Sequence, residues 1–126
     1  MVSRRTLIGL GIAGAGVVAA AALSDVAYAD AMRRASAACD PALSHLAPGR
    51  HGDIEYADTG TGVPLLMVHG TGGGFDQGLL FGRPLIDLGY RLISPSRFGY
   101  LRSSFPADPG SANQADAFAD LLDHLG

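Results

Sequence analysis

Three observations predict an alternating α/β fold with parallel strand pairing. Residues 63–68, Val63-Pro64-Leu65-Leu66-Met67-Val68, form an unbroken apolar run that stops at His69-Gly70-Thr71-Gly72-Gly73-Gly74. A second short apolar stretch, Tyr90-Arg91-Leu92-Ile93, follows after a segment with helical spacing, and a further amphipathic segment starts at Ser111. Continuous apolar runs suit strands covered on both faces. A strand-helix-strand-helix order implies parallel partners joined by right-handed crossovers.

The chain begins with an address. Ser3-Arg4-Arg5 precedes Thr6-Leu7-Ile8 and an uncharged run of Gly, Ala, Val, Leu and Ile that reaches Leu23, the pattern of an n-region followed by an h-region. Ala27-Tyr28-Ala29 then places small residues, Ala27 and Ala29, at the two positions a signal peptidase reads. Residues 1–29 are therefore expected to be an export signal, cleaved before Asp30. Ser-Arg-Arg-x-Leu-Ile resembles the twin-arginine motif, with Leu7 where Phe is common, and the resemblance implies that Arg4 and Arg5 engage an export machinery. Residues 7–23 stand at the short limit of a bilayer span, so a retained membrane anchor is the competing expectation. Gly9-Leu10-Gly11-Ile12-Ala13-Gly14 matches the dinucleotide fingerprint letter for letter. That fingerprint works only in a tight turn between strand and helix. The residues before Gly9 carry two arginines and make no strand. No cofactor is expected.

Residues 30–52 read as a linker with a short Ala-rich helix at 30–38, because Pro41, Pro48 and Gly49 break any longer element. Residues 53–58 alternate, with Ile54 and Tyr56 between acids, and Thr59-Gly60-Thr61-Gly62 turns the chain, which suggests one strand of a hairpin. The run at 63–68 reads as a central strand. From Phe75 to Leu88 the spacing of Leu79, Leu80, Leu85, Ile86 and Leu88 suits a helix that Gly82 and Pro84 weaken and Gly89 ends. Tyr90 to Ile93 is a second strand, and residues 94–109 form a long loop with three prolines. Ser111-Ala112-Asn113-Gln114 has the form of a capping box, and Phe118, Leu121, Leu122 and Leu125 make one apolar stripe with Asp116, Asp120 and Asp123 turned away.

Composition narrows the function. The 126 residues carry 12 acids against 9 bases, all of them arginine and scattered, a balance that argues against a nucleic-acid partner. The single cysteine, Cys39, excludes an internal disulfide and a multi-cysteine zinc site. His45, His51 and His124 have no carboxylates at repeating ligand spacing, so no metal is expected. Ser103 and Ser104 have no base at a fixed offset and read as loop hydrogen-bonders.

From Ile54 to Gly126 the chain resembles the α/β-hydrolase fold family. The likeness rests on the apolar strand running into His69-Gly70-Thr71-Gly72-Gly73-Gly74, on Ser96-Arg97-Phe98-Gly99-Tyr100-Leu101-Arg102-Ser103 after the next strand, and on the helix from Ser111. The second loop departs from the family's pattern, with Ser96 where Asp is usual and Leu101 where a second Gly is usual. The resemblance implies a partial α/β-hydrolase domain at residues 53–126: parallel central strands with flanking helices, ending before the strand and the Gly-x-Ser-x-Gly elbow that supply the nucleophile. No such pentapeptide occurs in the 126 residues.

The resemblance also implies roles. The loop after the strand gives one oxyanion donor, the backbone N–H of Thr71 or, next to it, Gly72, while His69 and Gly70 are structural. Nucleophile, acid and catalytic His are all expected outside the sequence, so the chain alone is expected to be inactive. The first function expected is therefore the N-terminal part of an exported serine-type hydrolase, an esterase or related acyl hydrolase acting on a small ester-type substrate. The second, of a different class, is a non-catalytic α/β binding module tethered to a membrane through residues 7–23.

Overall fold

The computed structural model describes residues 4–126, with side chains from residue 20 onward. The chain divides into two units, one up to Ala37 and one from Ala38 to Gly126. The described residues of the first form one helix, α1 (Arg4–Ala38), whose last residue falls in the second unit. It runs through Ala27 and Ala29 without a break, so the short helix expected at 30–38 is the last part of a longer one. Asp30 pairs with Arg33 at 3.1 Å and with Arg34, both one turn on. The side chains of Arg4, Arg5 and residues 7–19 lie outside the described residues. Among those described, no helix is long and apolar enough to cross a membrane.

The second unit opens with a 3-10 turn (Pro41–Leu43), started by Asp40, whose carboxylate accepts the Ala42 N–H at 2.9 Å. There follow β1 (His45–Ala47), β2 (Ile54–Thr59), β3 (Val63–Leu66), α2 (Phe75–Asp87), β4 (Tyr90–Pro95) and α3 (Ser111–Leu125). The sheet order is β1-β2-β4-β3, with β3 and β4 parallel and the other two pairings antiparallel. This is the mixed α/β sheet with flanking helices that the sequence predicts, with three differences. Residues 45–47, expected in a linker, form β1. The hairpin partner of β2 is β1, in the register Ala47 to Ile54, and not the run at 63–68. That run is parallel as expected, Leu65 opposite Leu92, but β4 is its only strand neighbour among the described residues. Val63 is 65% exposed and Leu66 36%. An apolar run identifies a strand but does not say what covers it.

Strand alternation sends successive β4 side chains to opposite faces. Leu92 and Ser94 meet α2 through its buried glycines, Gly78 and Gly82, four residues apart. Gly82, expected only to weaken the helix, is where Leu92 lies against it. Pro84 stays inside α2 on its exposed side. Gly89, at φ 86°, ends the helix in the left-handed conformation that glycine adopts freely.

Ile93 faces the other way and joins Ala47, Ile54, Tyr56, Phe98, Ala117 and Leu121 in the main core, with Leu125 against it. The buried stripe of α3 is thus Ala117 and Leu121 with Leu125, whereas Leu122, expected inside, is 41% exposed. The capping box is not formed. Gly110 is the N-cap, without a side-chain cap bond, and the Gln114 carbonyl oxygen accepts the Phe98 N–H at 2.7 Å instead. Asp120, expected in solvent, accepts the Arg50 backbone N–H at 2.9 Å and the Arg50 guanidinium, fastening the turn before β2 to α3.

Candidate functional site

β3 and α2 frame the glycine loop. The Met67 N–H still bonds the Ile93 carbonyl at 2.8 Å, which extends the β3–β4 ladder to the point where the chain leaves the sheet. His69 then turns inward and is 5% exposed. Its Nδ1 donates to the Gly70 carbonyl at 2.8 Å, and its Nε2 accepts the Arg97 N–H at 2.9 Å. A carbonyl oxygen only accepts and an amide only donates, so these bonds fix the neutral tautomer with the proton on Nδ1. Burial, joined by the nearby Arg97 charge, pushes the imidazole below its ordinary pKa, against a smaller opposing effect of the Gly70 carbonyl. His69 is therefore a neutral strut between the two loops. Tyr100 sets its ring edge-on to it at 4.7 Å and donates its hydroxyl to the Thr71 carbonyl at 3.4 Å.

The far side of the loop is tied to α2. The Gly70 N–H donates to Gln77 Oε1 at 2.8 Å, the Gly74 N–H to Asp76 Oδ1 at 2.8 Å and the Phe75 N–H to Ser96 Oγ at 3.0 Å. Between these anchors, the N–H groups of Thr71, Gly72 and Gly73 have no acceptor among the described residues. Thr71 and Gly72 are exposed. Three consecutive open amides just before a helix N-terminus make a donor row at the positive end of a helix dipole, suited to an oxygen that carries or develops negative charge.

Behind the loop lies a buried carboxylate that sequence reasoning missed. Glu55 on β2 is 1% exposed. It accepts the Arg102 backbone N–H at 3.0 Å, the Arg102 Nε–H at 2.7 Å and the Ser44 hydroxyl at 2.7 Å. Burial pushes its pKa up, but the hydrogen bonds from Arg102 and Ser44 outweigh it and hold the carboxyl below its ordinary range. Glu55 and Arg102 stand in segments far apart in sequence, so no local signal joins them. Gln77 and Tyr100 were also missed, and Gln77 could have been flagged as a polar residue on the first turn after a glycine loop. Ser96, where the family's Asp is usual, is fully buried and uses its hydroxyl on the Phe75 N–H.

The remaining candidates occupy other places. Ser103 accepts the Glu55 N–H at 2.9 Å and donates to the Ser96 carbonyl at 2.8 Å, while Ser104 accepts the Asp53 N–H at 3.0 Å. Both hydroxyls thus hold backbone. The Cys39 thiol is raised above its ordinary pKa by burial and by Asp76, the wrong direction for a nucleophile. His51 lies 3.9 Å from Asp116, and no group of three metal-ligating side chains occurs among the described residues.

The parallel strand running into a His-Gly loop, in a mixed sheet with flanking helices, matches part of the α/β-hydrolase fold of the neighbours below. No protein-family model matches the sequence. Over 74 residues the chain is 39% identical to the uncharacterized hydrolase YcgS of Bacillus subtilis, covering 59% of this chain and 26% of that protein. An alpha/beta hydrolase fold protein from Nakamurella multipartita superposes with a TM-score of 0.60 at 35% identity, over 66% of this chain and 29% of its own. The esterase EaEST from Exiguobacterium antarcticum gives 0.59 at 25% identity, over 66% and 32%. The chain spans roughly a quarter to a third of the length of these relatives.

Proposed function

We propose that this chain carries the oxyanion-loop portion of an exported serine-type acyl hydrolase, with the Thr71 N–H, and Gly72 beside it, as donor to the oxyanion of an ester-type substrate. The observation that carries this reading is the row of unpartnered amides at Thr71, Gly72 and Gly73, held open by His69 on one side and Gln77 on the other. Two neighbours support the ester chemistry. One is the esterase above, and the other is an N-acyl homoserine lactonase, AidH, in complex with N-butanoyl homoserine, 31% identical with a TM-score of 0.55. Export through Arg4 and Arg5, with cleavage after Ala29, is the localisation proposed, and retention by residues 7–23 as a membrane anchor is the alternative.

A serine hydrolase needs a nucleophile activated by a base, and neither is assembled among the described residues. The 126-residue chain incubated with p-nitrophenyl butyrate is thus expected to show no turnover above buffer. The product of the longest reading frame containing it, treated with a fluorophosphonate, is expected to carry the label on a serine outside residues 1–126. Turnover by the chain alone, or a label on Ser103 or Ser104, refutes this assignment. A reading frame that stops at Gly126, with a stable and unlabelled product, supports the tethered binding module instead.

A further inference from the structure

Leu101 borders the glycine loop with a backbone that costs energy. It has φ 49° and is the one non-glycine residue at positive φ among those described. In that conformation a side chain crowds the following carbonyl, a penalty glycine escapes. Such strain persists where the surroundings over-determine it.

Here they do so from both sides. Immediately after Leu101, Arg102 is fastened by its backbone N–H and its guanidinium to the buried Glu55 carboxylate, at 3.0 and 2.7 Å. Immediately before it, Tyr100 donates its backbone N–H to the Arg97 carbonyl at 3.0 Å and its hydroxyl to Thr71. Between these two anchors the Leu101 side chain is laid on Gly74. A Cβ at Gly74 would stand 2.5 Å from Leu101 Cδ1 and 3.0 Å from Cγ, with Ser96 Oγ at 2.7 Å, so the leucine and the buried serine together fill the space that any other residue at 74 would need. Gly74 closes the row of open amides.

We propose that Leu101 is a positioning residue for that row: clamped into the left-handed conformation by Arg102 on Glu55, it presses on Gly74 and holds the loop that carries the Thr71, Gly72 and Gly73 N–H groups in one conformation. The inference deepens the oxyanion reading and rests on it for its purpose, because a rigid donor row matters only if an oxygen is to be bound. In place of the glycine usual in the family's loop, this chain has a residue that trades backbone ease for a contact.

The test uses the isotopically labelled 126-residue chain with Leu101→Gly and Leu101→Met, followed by thermal unfolding, amide-nitrogen relaxation and hydrogen exchange. Leu101→Gly keeps or raises the thermal midpoint, since glycine takes φ 49° freely. Yet the order parameters of Thr71, Gly72 and Gly73 fall from about 0.85 to below about 0.6, and the Gly74 amide, bonded to Asp76, exchanges about tenfold faster. Leu101→Met keeps an apolar chain on Gly74 and leaves the loop ordered. Unchanged loop order in Leu101→Gly overturns the proposal. So does loosening accompanied by a lowered midpoint, which marks general destabilisation. Failure of the oxyanion reading shows separately, as a covalent label or turnover in the wrong place while the loop remains ordered by Leu101.

Discussion

Replacing Gly78 with Ala probes the contact that seats α2, and with it the glycine loop, on the sheet. A Cβ at Gly78 would collide with Ser94 Oγ and stand 2.7 Å from the Met67 carbonyl oxygen. Neither neighbour can give way. Ser94 is fully buried and its hydroxyl donates to the Phe75 carbonyl at 2.8 Å, and the Met67 oxygen is main chain. The added methyl must push the helix off β4, and because Phe75 belongs to that helix, the Ser94 hydroxyl loses its bond to the Phe75 carbonyl as well. Overpacking a close contact costs about 1–3 kcal/mol, and stranding a buried hydroxyl costs about 1–3 kcal/mol more. The higher helix propensity of Ala returns about 1 kcal/mol. The expected net loss is about 1–5 kcal/mol, a large part of the roughly 5–15 kcal/mol that holds a domain together.

Urea unfolding followed by far-ultraviolet circular dichroism checks this, with Gly70→Ala as the control. A Cβ at Gly70 meets only Gln77 Oε1, at 3.7 Å, an ordinary contact. The control is expected within about 0.5 kcal/mol of the parent. A Gly78→Ala chain as stable as the parent, or as the control, would refute the argument that the helix lies that close to β4.

Three further outcomes are expected. Glu55→Gln leaves Arg102 without its charge partner; breaking a buried pair costs about 3–5 kcal/mol, and Arg102 is 38% exposed, which sets the expectation at the low end. Because the Glu55 carboxyl is held below its ordinary value, its contribution is full above an unfolded pKa of about 4.3 and is lost as pH falls through the folded one; Glu55→Gln should lack that acid limb in a pH series of unfolding midpoints. His69 is held neutral, so below about pH 6.5 the unfolded chain takes up a proton that the folded chain refuses, and stability should fall with pH down to the lower folded value; an imidazole that titrates at or above 6.5 by nuclear magnetic resonance contradicts the bond from Arg97. On the proposed export reading, changing both Arg4 and Arg5 to Lys should retain the chain in the cytoplasm, and fractionation that shows undiminished export would refute their role and favour the general secretory route.

Local pattern carried much of the fold. The apolar run at 63–68 holds β3, which ends at Leu66, and the run at 90–93 opens β4, which continues to Pro95; the two pair in parallel, and the helices between and after them stand where spacing puts them, with Gly89 ending one. Those features depend on residues near one another in the chain. Side-chain periodicity and the conformational freedom of glycine act over a few residues, so the sequence displays them directly. The place of the glycine loop was legible for the same reason, since a strand cannot continue through Gly72-Gly73-Gly74.

What only the tertiary structure decided are the matters of partner choice. Gln114 could bond back to its own helix terminus or reach across, and the nearby Phe98 N–H takes it. Asp120 could face water, but Arg50 arrives from a turn before β2. β1 is too short to stand out from its linker and is a strand only because β2 lies beside it. The Glu55–Arg102 pair, and the strained Leu101 it adjoins, join segments that meet only once β2 and the loop after β4 are in place. Each is a competition between a local partner and a distant one. Its outcome depends on which groups folding removes from water together, and that is a property of the assembled sheet and helices rather than of any stretch of sequence.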